Sequence, residues 1–528
     1  MRSLTNLKQN DIRKIMTLSL LALATCSLMS GCAMLDYLKL DGLKFGQSGA
    51  AKVENKANLA QNTRATSWIA PLPHQGSLNA LNQFWAQYQD ALLSELISAA
   101  EKESATLASA KTRIIEARAA RQQASAALLP SLDGSFSASR AVQQPAFKYN
   151  NLPSGSGSNF GQPSGASNTT KLGLESSWEL DLFGKNAAAV DASRANLQGA
   201  ESSWHEARVS VAAEVASAYF DYRFCLQQVV VVKADAASRS ETSRITDIVF
   251  KAGFTDAATA NLALASAAAG QQQVVQQQTT CDLTMKQLVA ITNISETELT
   301  QKMLASTNNS ERLNNTQNQS LFNMTEIPAQ VIAQRPDIYT AEQAVVASAA
   351  DLQNVEAQRY PKISLNGSIG LMRLSASSYT ANGNVWSLGP LSITLPIFDG
   401  GVRKANVATG EAKLEEASVN YRSKIRNAVK EVEQALVNLD SAKKRSENAQ
   451  TASDNYQAAL AKMQTKYQAG FANLIELEDS RRTSLNAQTS LIKLSQDRNN
   501  AWIALYRAAG GGWTKNDNTQ LELANKNH

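Results

Sequence analysis

The decapeptide SITLPIFDGG, Ser392 to Gly401, closes an alternating segment and opens a run of about 70 residues without proline that carries helical apolar spacing. An earlier stretch repeats the plan: WELDLFGK, Trp178 to Lys185, ends a second alternating segment and starts a run of similar length. Both runs reach the same tripeptide, Ala252-Gly253-Phe254 and Ala469-Gly470-Phe471, and then enter another helical run, to about Ile291 in the first copy and toward Trp513 in the second. An unbroken helix of that length measures ~105 Å, far more than a globular domain can use, so the helices line something tall. A duplicated plan of this kind decides the architecture before any single motif does.

Composition narrows the function. The helical runs are rich in Ala, Gln, Ser, Lys and Glu, as in long packed helices. The formal charge of +5 is concentrated at the N-terminus, where Arg2, Lys8, Arg13 and Lys14 face only Asp11, and the near-balance of the rest gives no support to a nucleic-acid partner. The histidines His74, His205 and His528 are scattered without metal spacing. No glycine-rich phosphate loop or nucleophile elbow is present, so neither an enzyme nor a cofactor is expected. Beyond the N-terminus no stretch offers 18 consecutive apolar residues. At the N-terminus a basic segment precedes an apolar run from Ile15 to Met29 and then Ser30-Gly31-Cys32, which reads as a secretory signal over residues 1–31. Small residues directly before a cysteine resemble a bacterial lipobox and make Cys32 the lipid attachment site; the alternative is an ordinary signal peptide with an incidental cysteine.

Along the chain, residues 32–87 read as a lipidated lead. The first repeat, 88–291, opens with a helix that stops at Pro130, continues with a β-hairpin over 131–182, and ends in the long helical hairpin turning at Gly253. Residues 292–328, rich in Asn, Thr and Ser, read as an irregular connector. The second repeat, 329–510, has the same order: a helix ending near Pro361, a hairpin over 362–398, and a long helical hairpin turning at Gly470; 511–528 is a polar tail. Each strand alternates apolar and polar residues, as Leu172, Leu174, Trp178 and Leu180 do against Lys171, Glu175, Ser177 and Glu179. The long helices carry coiled-coil steps of 4, 3, 4, 3: Val211, Val215, Ala218, Tyr222, Cys225 in the first, Ile425, Val429, Val432, Leu436, Leu439 in the second.

Four amphipathic strands cannot close a membrane barrel alone, since single-chain bacterial barrels need about eight. Open sheet edges are not tolerated in lipid. Other copies of the chain must complete the wall, and three copies supply twelve strands. A soluble sheet capped by helices is the alternative, and it leaves the long helices without a purpose.

These features, with LLPSL at Leu128–Leu132, ELDLFGK, RPDI at Arg335–Ile338, YPKISLNG at Tyr360–Gly367, WSLGP at Trp386–Pro390 and LPIFDGG, resemble the TolC-like outer-membrane factors, most closely the NodT-type lipoproteins of drug-efflux systems. The resemblance covers nearly the whole mature chain. It implies an α+β membrane protein: a homotrimer with a 12-stranded β-barrel, four strands per chain, in outer-membrane lipid, continued by a 12-helix α-barrel across the periplasm. It further implies a passive outer-membrane channel of a tripartite efflux pump, gated at its periplasmic tip, lipid-anchored, and partnered by a periplasmic adaptor and an inner-membrane pump driven by protons or of ABC type. In that fold residues 88–130 and 331–360 supply upper half-helices, and 256–290 and 472–508 lower ones. A conduit for an ABC-type secretion system is the runner-up within transport, and a lipid-anchored scaffold without a pore the rival from another class.

Residue roles follow. Gly253 and Gly470 stand where long helices reverse, which favours a residue free to take positive φ, and the resemblance makes these turns the tip that meets the adaptor. Glu476 and Asp479 lie one turn apart on one face, and in a trimer each becomes a ring of three carboxylates able to select cations; the alternative is an acid placed near a helix N-terminus by the dipole. Tyr467 matches the tyrosine that latches the closed tip in this family, but its acidic partner falls at Thr259, with Asp256 as a substitute. Cys225 lies 28 residues before Gly253 and Cys281 lies 28 after it. Antiparallel helices folded at that glycine put both at one height, each on an apolar seam, and an oxidising periplasm would bridge them. Otherwise they are two small buried hydrophobes.

Overall fold

Two α-helices of 67 residues each, Lys185–Lys251 and Val402–Gln468, dominate the structure, and a glycine in the left-handed region stands before each, Gly184 at φ 73° and Gly401 at φ 96°. The computed structural model describes residues 84–88, 90–143, 165–306, 333–376 and 380–513. The chain divides at residue 50, and every described residue belongs to the part beyond it. In chain order the elements are α1 (Phe84–Gln87), α2 (Ala91–Glu103), α3 (Ala105–Ala126), β1 (Ser131–Gln143), β2 (Gly165–Leu180), α4 (Lys185–Lys251), α5 (Ala257–Thr292), α6 (Glu296–Ser306), α7 (Pro336–Ala357), β3 (Lys362–Ala376), β4 (Thr380–Thr394), α8 (Val402–Gln468) and α9 (Leu474–Ala508), followed by a short 3₁₀ turn at Gly510–Gly512.

Helix α4 packs on α5 and α8 on α9, as chains reversing at a single turn must. Helix α7 lies against both α4 and α8, and α9 against α4, so the two repeats share an interface. The heptad-like seam is what they bury. Val211, Val215, Ala218, Tyr222 and Cys225 of α4, and Ile425, Val432, Leu436 and Leu439 of α8, are all buried. The largest apolar cluster gathers α1, α2, α6 and the ends of α5 and α9 around the middle of α4, with Phe84, Leu93, Leu96, Tyr219, Phe220, Leu288 and Leu299 among its members. Tyr219 donates to Asp90 (2.5 Å), and Arg223 donates to Tyr219 (2.6 Å) and Ser306 (3.1 Å), so Asp90, Tyr219 and Arg223 form one bonded chain at this cluster.

The four strands form one antiparallel sheet in the order β1-β2-β3-β4. The middle pairing, with Leu172 opposite Leu371 and Leu174 opposite Ile369, is the one that joins the two repeats. An extra residue in β4 between Leu388 and Leu391 makes a bulge against Leu365–Gly367, and β1, β2 and β3 alternate without interruption. One face therefore carries Phe136, Leu172, Leu174, Trp178, Ile369 and Trp386, and the other Asp133, Lys171, Glu175, Glu179 and Asn366. The apolar face is bare: Phe136 is 71% and Trp386 74% exposed. Among the described residues β1 and β4 have no strand on their outer sides.

Three expectations from sequence are modified. The connector expected to be irregular over 292–328 begins with helix α6, whose Leu299 and Met303, one turn apart, are buried in the main cluster; residues 307–332 lie outside the described part. The first upper half-helix is broken at Ser104, which ends α2 in extended geometry and caps α3 by accepting from the Leu107 N–H (3.3 Å). The second starts at Pro336, where proline suits the first turn because its missing N–H would have no helical partner. Most of the lead over 32–87, including Cys32, and the tail beyond Trp513 lie outside the described residues.

Candidate functional site

Both long helices end in one and the same way. Phe254 N–H reaches back to the Val249 carbonyl (3.0 Å) and Gly253 N–H to that of Phe250 (2.9 Å); Phe471 reaches Lys466 (2.8 Å) and Gly470 reaches Tyr467 (3.0 Å). This pair of bonds closes the helix around a residue in the left-handed region, and Gly253 and Gly470 both sit at φ 78°. The residue after each glycine is a phenylalanine left 84% exposed, Phe254 and Phe471. The returning helices are capped at once. Asp256 accepts from the Thr259 N–H (2.8 Å) and hydroxyl (3.0 Å), bonds that hold its carboxyl below the usual carboxylate range. Asn473 and Glu476 form a reciprocal capping box.

Glu476 and Asp479 are both exposed at the start of α9. The carboxylate of Glu476 accepts from the Asn473 N–H (3.2 Å) through one oxygen, and Asp479 pairs with Arg482 (2.5 Å). Tyr467 does not meet Thr259 or Asp256, which bond to each other. Its hydroxyl lies 3.1 Å from that of Thr246, on α4. The polar link from the second hairpin to the first is therefore a hydroxyl pair at this level, beside the apolar contact of Ala263 with Leu474 and Leu477.

Stronger links stand just above it, in residues that the sequence motifs do not single out. Glu478 accepts from Arg239 (2.9 Å) and Ser266 (2.5 Å) through one oxygen and from Arg481 (2.6 Å) through the other. Arg481, only 2% exposed, also donates to Thr242 (2.5 Å) and to the Ser238 hydroxyl (3.0 Å) and carbonyl (3.2 Å). Arg239 is held from its own helix by Asp235 (2.6 Å), and Gln464 of α8 donates to Ser238 (3.2 Å). The network thus ties α9 and α8 to α4 and α5. The sequence does carry a signal for it: the α4 seam continues past Cys225 as Val229, Val232, Ala236, then Arg239, Thr242 and Thr246, and in α9 Arg481 follows Leu474 and Leu477 at helical spacing. A charge at a seam position must be paired across the interface, because an unpaired buried charge is costly.

Higher in the first hairpin Cys225 and Cys281 are joined, with sulfurs 1.98 Å and Cα atoms 5.6 Å apart. Both lie in the buried cluster, Cys281 together with Met285 and Leu288 of α5. No helix among the described residues is long and apolar enough to cross a membrane, and no group of His, Cys, Asp and Glu among them could hold a metal ion.

The family model for outer membrane efflux proteins matches residues 96–293 and 327–511, one segment for each repeat. The chain is 27% identical over 500 residues to the cation efflux system protein CusC of Escherichia coli O6:H1, spanning 92% of this chain and 100% of that one. It is 30% identical over 340 residues to the outer membrane protein OprJ of Pseudomonas aeruginosa, with 64% and 68% covered. Its fold matches the Campylobacter jejuni CmeC outer membrane channel at a TM-score of 0.72 and 25% identity, over 87% of this chain and 93% of that one.

Proposed function

The chain belongs to the outer membrane efflux protein family, as a TolC-like outer-membrane factor, and from that membership we propose that it is the outer-membrane conduit of a tripartite efflux pump, passing small molecules from the periplasm to the exterior without chemistry of its own. The observation that carries the reading is the four-stranded sheet, bare and apolar on one face, polar on the other, with both edges open among the described residues and joined to 67-residue helices. Three copies give twelve strands, remove every edge, turn the apolar face to lipid and put Asp133, Glu175 and Lys171 in the lumen. Pairs α4–α5 and α8–α9 with α3 and α7 from each copy then continue the wall as a helical tube.

At the far end Gly253 and Gly470, each followed by a bare phenylalanine, offer the adaptor an apolar rim. Glu476 and Asp479 narrow the opening as carboxylate rings. Arg482 offsets Asp479, so Glu476 carries the larger share of the cation preference. Opening moves the second hairpin away from the first, which the disulfide holds together. The inner-membrane pump selects the cargo; a metal cation is one class to test, given the name of the CusC relative.

Reconstitution into planar bilayers tests this reading. The purified protein is expected to give discrete cation-selective channels, and Glu476→Gln, which preserves the capping box, to weaken cation preference more than Asp479→Asn does. A protein that inserts without conducting would favour the scaffold reading.

A further inference from the structure

The outer half of the sheet has a charge pattern that conduction does not require. From Gly134 to Leu174, and again from Leu365 to Phe398, the chain contains no Asp or Glu, but it does contain Arg140, Lys148, Lys171 and Arg373. The ladder separates these cations. Lys171 lies opposite Ser137 and Met372, on the polar face. Arg140 shares its face with Leu132 and Phe136, and Arg373 shares its face with Ile369 and Leu371, so both project on the apolar side. Both are exposed, and neither has an ion-pair partner among the described residues.

Their height on that face is informative. The apolar face of β2 runs from Leu180 up to Leu172, ~26 Å along the strand and ~20 Å along the membrane normal at the usual tilt, which is most of the lipid-facing band of an outer-membrane barrel. Arg373 is level with Thr170, the first position above the band, and Arg140 is level with Asn168, the next. These ranks lie at the end of the sheet away from the helices. They meet the headgroups of the outer leaflet.

Directly beneath is a groove of about 390 Å³. Its walls are Phe136, Leu172, Leu174 and Ile369, all on the apolar face. Its floor is Gly134 together with the backbone at Gly173 and Gly370, where side chains that would fill it are missing or point to the other face. The two arginines stand two strands apart, ~10 Å laterally, and one rank apart in height. An apolar groove that lies, on the same face, one and two ranks below two separated guanidinium groups without ion-pair partners suits a lipid. Arginine forks bind phosphate oxygens in bidentate fashion, and two of them at this spacing suit two phosphates on one headgroup better than a single phosphodiester.

We propose that the face bearing Arg140 and Arg373 binds a bis-phosphorylated glycolipid of the outer leaflet, its phosphates on the two guanidinium groups and an acyl chain in the groove lined by Phe136, Leu172 and Ile369. The site rests on the barrel reading above, which turns this face to lipid. It gives the trimer three equivalent anchors at the exterior surface, on the opposite side of the membrane from a lipid attached at Cys32.

The test uses the full-length trimer in detergent, titrated with lipid A carrying two phosphates, lipid A carrying one, and phosphatidylglycerol, with binding followed by native mass spectrometry. The expected result is saturable binding of the two-phosphate form at one copy per protomer, weaker binding of the other two lipids, and a loss of about ten-fold or more in affinity for Arg140→Gln/Arg373→Gln, whose trimer and conductance are unchanged. Equal affinity for all three lipids, or binding unaffected by the double substitution in conducting trimers, overturns the lipid site alone. A wild-type protein that forms no conducting trimer overturns the barrel reading and the site with it.

Discussion

Arg481 shows how a single side chain can be placed by demands that oppose one another. It occupies a seam position in α9, where Leu474 and Leu477 bury apolar surface, yet it carries a full charge into the interface. Glu478 makes that tolerable by accepting from Arg481 and Arg239 through different oxygens, while Thr242 and Ser238 take further donors. Removing the acid should therefore cost more than an exposed pair would. In Glu478→Gln, Arg481 loses its charge partner while Arg239 keeps Asp235. The first turns of α9 are then expected to open more readily by about 1–3 kcal/mol, read as faster amide exchange there, together with a higher open probability in bilayers. Unchanged exchange in α9 would mean that the network contributes nothing to holding the second hairpin. At this scale the sequence points to Tyr467 and not to Glu478, because a motif position is conspicuous and a charge on an apolar stripe is easily overlooked.

At the scale of elements the two helical hairpins share their turns and differ in their fastening. Both reverse through a glycine at φ 78° with the same two backbone bonds, and both expose the following phenylalanine. Only the first is cross-linked, by Cys225–Cys281 across a sequence separation of 56. A bridge closing a loop of that length stabilises by about 2–4 kcal/mol, mainly by restricting the unfolded chain. Replacing both cysteines with alanine is expected to lower the thermal midpoint of the first hairpin, while tip conductance under non-reducing conditions changes little, since the hairpin proposed to move has no cysteine. Alkylation offers the direct check: the unfolded, unreduced protein should not react with iodoacetamide at either position until a reductant is added. Rapid labelling of both thiols without reductant would leave the hairpin held by packing alone. The equal spacing of the two cysteines from Gly253 is arithmetic on the chain, and so is legible in the sequence itself. The break at Ser104 and helix α6 are not, because a serine cap within a polar run and two apolar residues one turn apart are weak local signals that packing on the α4 cluster amplifies.

At the scale of the whole molecule, anchoring is divided. On the barrel reading, the apolar sheet face would hold the trimer in the membrane, and a lipid on Cys32 would add an attachment at the inner surface. Mass spectrometry of the mature N-terminus is expected to show a diacylglyceryl-modified Cys32, and Cys32→Ser to reduce delivery to the outer membrane while channels formed by the delivered fraction keep their conductance. Recovery of a mature N-terminus at any other residue would remove the lipid from the account.

Sequence alone determined what is local or periodic: the duplication, the lengths of the two long helices, the glycine turns, the alternating strands, and the common height of two cysteines. Each depends on 3.6-residue or two-residue periodicity, or on a steric rule for one residue, and so can be read along the chain. The tertiary structure alone decided which seam positions meet across the two repeats. Arg239 and Glu478 are 239 residues apart, and nothing near either one names the other. Their pairing depends on the rotation and height at which α9 lies against α4, which is set by the packing of every apolar residue in the interface together.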